Sequence, residues 1–173
     1  EIVQQNWFSK RVEKITLKRL DSVICQSKDM KDDFIQNHGF SEKKLVIINN
    51  PITSIPNEIR KHDTTKDIVR FITVGRLNQE KGHLRILDAL SKIESYNFSY
   101  TIVGDGPLKE QIFESAKKLG LSSKINHINY TSKVNETLAQ HDIFLQGSYV
   151  EGFPNAVLES SVVGVPILAF NVP

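Results

Sequence analysis

Residues 68–107 read IVRFITVGRLNQEKGHLRILDALSKIESYNFSYTIVGDGP, and this stretch decides the fold. An apolar run, Ile68–Val74, ends at Gly75. A polar loop leads into a helix predicted over roughly 82–93, and a second apolar run, Ser99–Val103, ends at Gly104. Strand, loop, helix and strand at this spacing make a βαβ unit. The pattern then repeats. A helix is expected from Pro107 to Leu119, stopped by Gly120, then a strand over Ile125–Ile128 and a short helix over 133–140. A strand over Ile143–Leu145, a helix over 154–163 stopped by Gly164, and a strand over Val165–Phe170 complete the series. Strands alternating with helices in this way predict a parallel sheet covered on both faces, that is, a doubly wound α/β domain over residues 67–173.

Working outward, residues 51–66 carry Pro51, Pro56 and a polar run, and read as a linker. Before it lies a short α/β segment. A helix is predicted over 5–19, with Phe8, Val12 and Ile15 on one side and Lys10, Lys14 and Lys18 on another. Strands at Val23–Cys25 and Leu45–Ile48 flank a helix expected to start at the N-cap Ser27 and end at Gly39.

The chain has 173 residues, 39% hydrophobic and 24% charged, a composition that suits a soluble globular protein. Its net charge of +2, from 22 basic and 20 acidic residues, gives no electrostatic case for nucleic acid. One cysteine, Cys25, rules out an internal disulfide and a cysteine-based zinc cluster, and its apolar surroundings suit a buried side chain. The five histidines and the carboxylates show no metal-ligand spacing, so no metal is expected. No stretch reaches the roughly 18 apolar residues of a membrane span, and no signal-peptide pattern opens the chain. A cytoplasmic setting is expected. Both ends read as cut from a longer protein.

In doubly wound sheets ligands bind beyond the carboxyl ends of the strands, so the loops there hold the candidate site. The first runs from Gly75 to Gly82 and sets Arg76 and Lys81 between two glycines. The two cations could converge on an anion, one as a planar fork and one as a point charge. Alone, an ordinary βα loop with solvated charges explains the pattern at least as well, and Glu80 could neutralise either cation. The second loop is Gly104-Asp105-Gly106-Pro107. Lys109 stands where the dinucleotide fingerprint needs its third glycine, which argues against a hydride-transferring enzyme. Pro107 suits a first helical turn and Asp105 a turn, so a structural reading is equally good.

The third loop, Glu151-Gly152-Phe153-Pro154-Asn155, leads to Glu159 and is the most informative. Pro154 fits the first helical position, which would aim the amides of Asn155 and Ala156 at phosphate oxygens. Glu151 and Glu159 would stand on the order of 12 Å apart if the span were helical, enough to flank a diphosphate. Carboxylates accept hydrogen bonds from sugar hydroxyls but repel phosphates unless cations lie between, and Arg76 and Lys81 could be those cations. A cap and a solvated helix face would explain the two glutamates about as well.

Together the three loops resemble the retaining glycosyltransferases of family four (glycosyl transferases group 1), which have the GT-B architecture of two Rossmann-like domains. The matching pieces are Gly75-Arg76-Leu77 with Lys81-Gly82, then Val103 to Leu108, then Ser148 to Asn155 with Glu159, then Gly164-Val165-Pro166. Two glutamates separated by seven residues are the family's signature. The resemblance is good from about Ile68 to Pro173 and weaker back to about Leu20. It implies that residues 67–173 are a truncated C-terminal, nucleotide-sugar-binding domain, and that residues 1–50 are the tail end of the acceptor domain.

The resemblance also implies roles. Arg76 and Lys81 would hold the donor diphosphate and stabilise the leaving nucleotide, and Glu151 would lie by the transferred sugar. Glu159 would bind ribose hydroxyls, Gly152, Phe153, Pro154 and Asn155 would contact sugar and phosphate, and Gly75 and Gly104 would line the donor cleft. Tyr130 and Thr131 would face the base. The donor would be a UDP- or GDP-sugar, with no metal cofactor, and the acceptor would sit mainly on the missing domain. The isolated chain would bind donor weakly and transfer no sugar.

Other readings stay open on these residues. One is a nucleotide-sugar epimerase of the same architecture, and another is a degenerate nucleotide-binding or interaction module. Trp7, Phe8 and the basic residues 10–19 also raise peripheral contact with the inner face of a membrane, although a solvated helix face is the simpler reading.

Overall fold

The computed structural model describes residues 19–52, 59 and 67–172, which fall into two compact units divided after Pro51. The helix expected over 5–19, with its basic and aromatic residues, and most of the linker 51–66 lie outside the described residues.

In the first unit, β1 (Val23–Cys25) pairs in parallel with β2 (Leu45–Ile47), joined through α1 (Lys28–Gln36). Ser27 caps α1, its Oγ accepting from the Met30 amide at 3.0 Å. Gly39 adopts φ +67°, and the Phe40 amide reaches back to the Phe34 carbonyl, which closes the helix end as expected. Cys25, Phe40 and Leu45 are buried together, so the lone cysteine is a core residue.

The second unit is a five-stranded parallel sheet in the order β5-β4-β3-β6-β7. Its elements are β3 (Val69–Val74), α2 (His83–Ser91), β4 (Phe98–Val103), α3 (Lys109–Lys118), β5 (Ile125–Ile128), α4 (Val134–Ala139), β6 (Ile143–Gln146), α5 (Asn155–Val163) and β7 (Ile167–Ala169). Strand alternation sorts the core into two layers. Phe71, Tyr100, Ile102 and Leu145 meet Ile86, Leu90 and Ile112 of α2 and α3 on one face. Ile72, Val103 and Phe144 meet Leu138 and Val163 of α4 and α5 on the other. The doubly wound, Rossmann-like α/β reading of residues 67–173 therefore describes this unit.

Polar side chains fix the central strands at both ends. At the amino end, Arg70 of β3 makes a fork to Asp142 just before β6, with both arms at 3.0 Å. Deeper in, the buried Tyr100 hydroxyl donates to Thr73 Oγ1 at 2.9 Å, and Thr73 donates to the Leu145 carbonyl at 2.9 Å. That relay joins β4, β3 and β6 and leaves none of the three groups unsatisfied.

The structure corrects several boundaries. Pro107 lies in the turn before α3, which begins at Lys109, because the Leu108 amide is taken by the Leu77 carbonyl of the neighbouring loop. Pro154 is the N-cap of α5, with φ −80° and ψ 90°, and not its first helical residue. Glu151 thus precedes the helix, and the span to Glu159 is only partly helical, which removes the basis for the 12 Å estimate. β7 is shorter than the apolar run 165–170, since Val165 is spent closing α5, its amide bonding the Ser160 carbonyl.

Candidate functional site

The sheet reverses direction between β3 and β6: β4 and β5 extend one way from β3, β6 and β7 the other. A crevice opens at such a switch point, beyond the carboxyl ends of the strands. The loops after β3, β4 and β6 meet there.

The loop after β3 is held by its own apolar anchor. Leu77 is fully buried, its amide bonds the Asp105 carbonyl at 2.9 Å, and its carbonyl accepts from Leu108 at 2.9 Å. Arg76, next to this anchor, is exposed. The Asn78 side chain accepts from the Lys81 amide at 3.2 Å and bends the loop towards α2. Gly82 has φ +62°, and a Cβ there would lie 1.8 Å from the Gly147 carbonyl oxygen. Gly104 has φ +145°, and a Cβ there would lie 1.9 Å from the Gly75 carbonyl oxygen. Only glycine allows main chain to approach main chain this closely. Further bonds complete the join, from the Gly75 amide to Val103 at 2.9 Å and from the Tyr149 amide to Glu80 at 2.8 Å.

The loop after β6 is built from side chains. Glu151 is 13% exposed, and its Oε1 accepts from Lys81 Nζ at 2.6 Å. The same oxygen accepts from Gln146 Nε2 and Ser148 Oγ, each at 2.5 Å. Lys81 is therefore neutralised by Glu151 and not by Glu80, which takes a side-chain bond from Asn78 at 3.3 Å. Arg76 makes no ion pair among the described residues and remains an available cation. Arg85 braces the loop from α2, its guanidinium lying 3.5 Å from the Phe170 ring centroid and 4.5 Å from that of Tyr149. It also donates to the Ser148 carbonyl at 3.2 Å.

The structure thus brings Gly75, Arg76, Lys81, Gly104, Glu151, Gly152, Phe153, Pro154 and Asn155 to one end of the sheet, on loops following β3, β4 and β6. Around the Cβ position of Gly152 there is no other atom within 4 Å, so a second molecule has room to approach. Glu159 lies one turn into α5, half-buried, and burial pushes its carboxyl up from the ordinary value. It accepts no hydrogen bond from a described residue. Tyr130 and Thr131 follow β5, the strand next to β4, with Tyr130 82% exposed. Among the described residues no three His, Cys, Asp or Glu side chains cluster as metal ligands would.

Four supporting residues received no role from the sequence: Gln146, Ser148, Arg85 and His83. His83 is 1% exposed, with Nε2 set to donate to the Arg76 carbonyl at 3.1 Å. Burial holds it below its ordinary value, so it stays neutral under the loop. The one signal available was Gln146, a long polar side chain closing the apolar strand Ile143–Leu145.

The family model for glycosyl transferases group 1 matches residues 54–173, more than half of the chain. The chain belongs to this family. It is 29% identical over 163 residues to N-acetylgalactosamine-N,N'-diacetylbacillosaminyl-diphospho-undecaprenol 4-alpha-N-acetylgalactosaminyltransferase of Campylobacter jejuni, covering 90% of this chain and 44% of that protein. It is 27% identical over 180 residues to the phosphatidylinositol N-acetylglucosaminyltransferase GPI3 subunit of Saccharomyces cerevisiae, covering 96% of this chain and 39% of that one. The chain thus spans less than half the length of these curated relatives. Among solved structures, sucrose-phosphate synthase of Thermosynechococcus elongatus aligns with a TM-score of 0.83 at 18% identity, covering 99% of this chain and 46% of that one. HepE of Anabaena, solved with UDP and glucose, aligns at 0.80 and 21% identity, covering 95% and 48%. These two likenesses establish a shared fold. Glycosyltransferase names among the relatives do not favour the epimerase or the interaction-module reading.

Proposed function

We propose that residues 67–172 form the donor-binding domain of a retaining glycosyltransferase and hold a nucleoside-diphosphate sugar in the crevice between β3 and β6. The carrying observation is the pairing of Lys81 with Glu151 at 2.6 Å at the switch point, with Arg76 close by in sequence and making no ion pair with a described residue. A donor of this class presents both a dianionic diphosphate and a ring of hydroxyls. Arg76 and Lys81 supply positive charge for the first, and Glu151 supplies an acceptor for the second.

In this reading the two cations take up the charge that develops on the diphosphate as the glycosidic bond breaks. Preorganised charge of this kind is worth roughly 3 kcal/mol per donor in a site closed to water. The cations and the start of α5 do the work a divalent metal does elsewhere, so no metal is required. Glu159 receives the ribose hydroxyls, and Tyr130 and Thr131 lie towards the base. HepE with UDP and the relatives named for N-acetylhexosamine transfer support a UDP-sugar, with a GDP-sugar as the competing choice. Two relatives named for undecaprenol and phosphatidylinositol acceptors support a lipid-linked acceptor and peripheral contact with the cytoplasmic face of a membrane.

Calorimetric titration of this chain with UDP, GDP and ADP tests the reading. One nucleotide should bind, weakly, and Arg76→Ala/Lys81→Ala should abolish the binding. Heat from that nucleotide unchanged in the double variant would overturn the site, and sugar transfer by the isolated chain would overturn its role as half of an enzyme.

A further inference from the structure

The donor reading uses Glu151 but leaves unexplained why two buried neutral groups converge on it. Gln146 is 8% exposed at the carboxyl end of β6, and Ser148 is 1% exposed. Burying such groups requires partners, and theirs form a directed chain. Gln146 Nε2 donates one proton to Ser148 Oγ at 2.8 Å and the other to Glu151 Oε1 at 2.5 Å. Ser148, having accepted from Gln146, gives its own proton to the same Glu151 oxygen. Three bonds therefore meet on Oε1, while Oε2 accepts none among the described residues.

We propose that Gln146 and Ser148 are positioning residues that hold Glu151 in place when Lys81 turns from it to the donor diphosphate. The inference rests on the donor-binding reading of Lys81 and Glu151. Lys81 is a flexible point charge, 31% exposed, and among the described partners of Glu151 it alone carries a charge that a phosphate would attract. Once it leaves, the carboxylate faces a like-charged diphosphate with no cation and would be driven out of register. Gln146 and Ser148 carry no charge, so they do not compete for the phosphate, and both are anchored by burial. They keep Oε1 engaged and leave Oε2 as the acceptor for a hydroxyl of the transferred sugar. Glu151 is then oriented by buried side-chain donors and only neutralised by Lys81, two roles that mutation can separate.

The test follows slow donor hydrolysis by the full-length enzyme as nucleoside diphosphate released from UDP-N-acetylglucosamine, UDP-glucose and GDP-mannose. Gln146→Leu keeps nearly the same bulk and removes both donated protons. It should lower kcat about ten- to a hundredfold while changing KM less than about threefold, with affinity for the free nucleotide unaltered. Ser148→Ala should fall between Gln146→Leu and the parent protein. Gln146→Glu, which sets a like charge against Glu151, should be the most impaired. An unchanged kcat in Gln146→Leu, or a loss confined to KM, would overturn the proposal.

A second measurement needs no donor and no variant at Gln146. In NMR spectra of this chain, the Gln146 side-chain amide protons should exchange slowly with water. They should lose that protection in Glu151→Ala and keep it in Lys81→Ala. Free-amide exchange in the parent protein would overturn the proposal. Protected protons in a full-length enzyme that neither binds nor cleaves a nucleotide sugar would sink the donor reading and leave the positioning network standing.

Discussion

The loops after β3 and β6 meet at one crevice and touch there through main chain, yet the first is anchored mainly by backbone while the second holds its carboxylate by side chains. After β3, the chain is held by amide-to-carbonyl bonds to the β4 loop, with Gly82 and Gly104 pressed against neighbouring carbonyl oxygens. After β6, Glu151 is held by Lys81, Gln146 and Ser148, and the backbone beside it at Gly152 is open. The difference teaches which part of the site bears its rigidity and which part can respond to a ligand. Main-chain contacts have no rotamers to exchange, whereas a lysine can trade one anion for another.

The harshest way to test that contrast is to place a methyl group on each side of it. Gly82→Ala forces a Cβ to within 1.8 Å of a carbonyl oxygen at φ +62°, and should cost at least about 3 kcal/mol in urea unfolding. Gly152→Ala meets nothing within 4 Å, and should stay within about 0.5 kcal/mol of the parent. Similar losses at both positions would erase the distinction.

Smaller effects should separate the two cations. Lys81→Ala leaves a largely buried carboxylate with two neutral donors, and should destabilise the fold by about 1–2 kcal/mol. Arg76→Ala removes an exposed side chain with no ion pair among the described residues, and should change stability by less than about 0.5 kcal/mol while still abolishing nucleotide binding. Thermal melts beside calorimetric titrations would show whether stability and binding divide in this way.

The mildest effect comes from acidification. Burial holds His83 and His141 below the ordinary value of 6.5. His141 is neutral with Nδ1 turned to the Thr137 carbonyl and Nε2 to Thr101 Oγ1. Below pH 6.5 the unfolded chain takes up protons that the folded chain refuses, so stability is complete above that pH and declines as pH falls. The slope should not exceed about 1.4 kcal/mol per pH unit for each histidine. His141→Gln should flatten it, and a melting temperature that rose on acidification would contradict the buried neutral state.

The same contrast accounts for what the sequence disclosed. Strand and helix order from Ile68 onward was legible because alternation and helical stops, such as Gly120 and Gly164, are local features. The glycines and charges of the first and third loops were legible because each sits directly after a strand. Partnership was harder to see. Glu80 is adjacent to Lys81 in sequence, yet Lys81 turns to Glu151, 70 positions away. Gln146 and Arg85 acquire their roles only when β6 is laid beside β3 and Phe170 follows β7, contacts that no local spacing encodes. Pro154 was misplaced by one position because proline suits both a helix start and the extended residue before it, and only the ψ of 90° separates the two.

The main-chain weave beneath the crevice also bears on how such a domain can change over generations. Its geometry depends on a few glycines and on peptide groups that every sequence possesses, so an exposed side chain such as Tyr130 hangs from a frame that does not need it. On the donor-binding reading, a lineage can therefore replace such side chains one at a time, trying a different base, without rebuilding the frame at each step. The heritable cost of a new preference is then a handful of codons, while the glycines at the weave allow almost no drift.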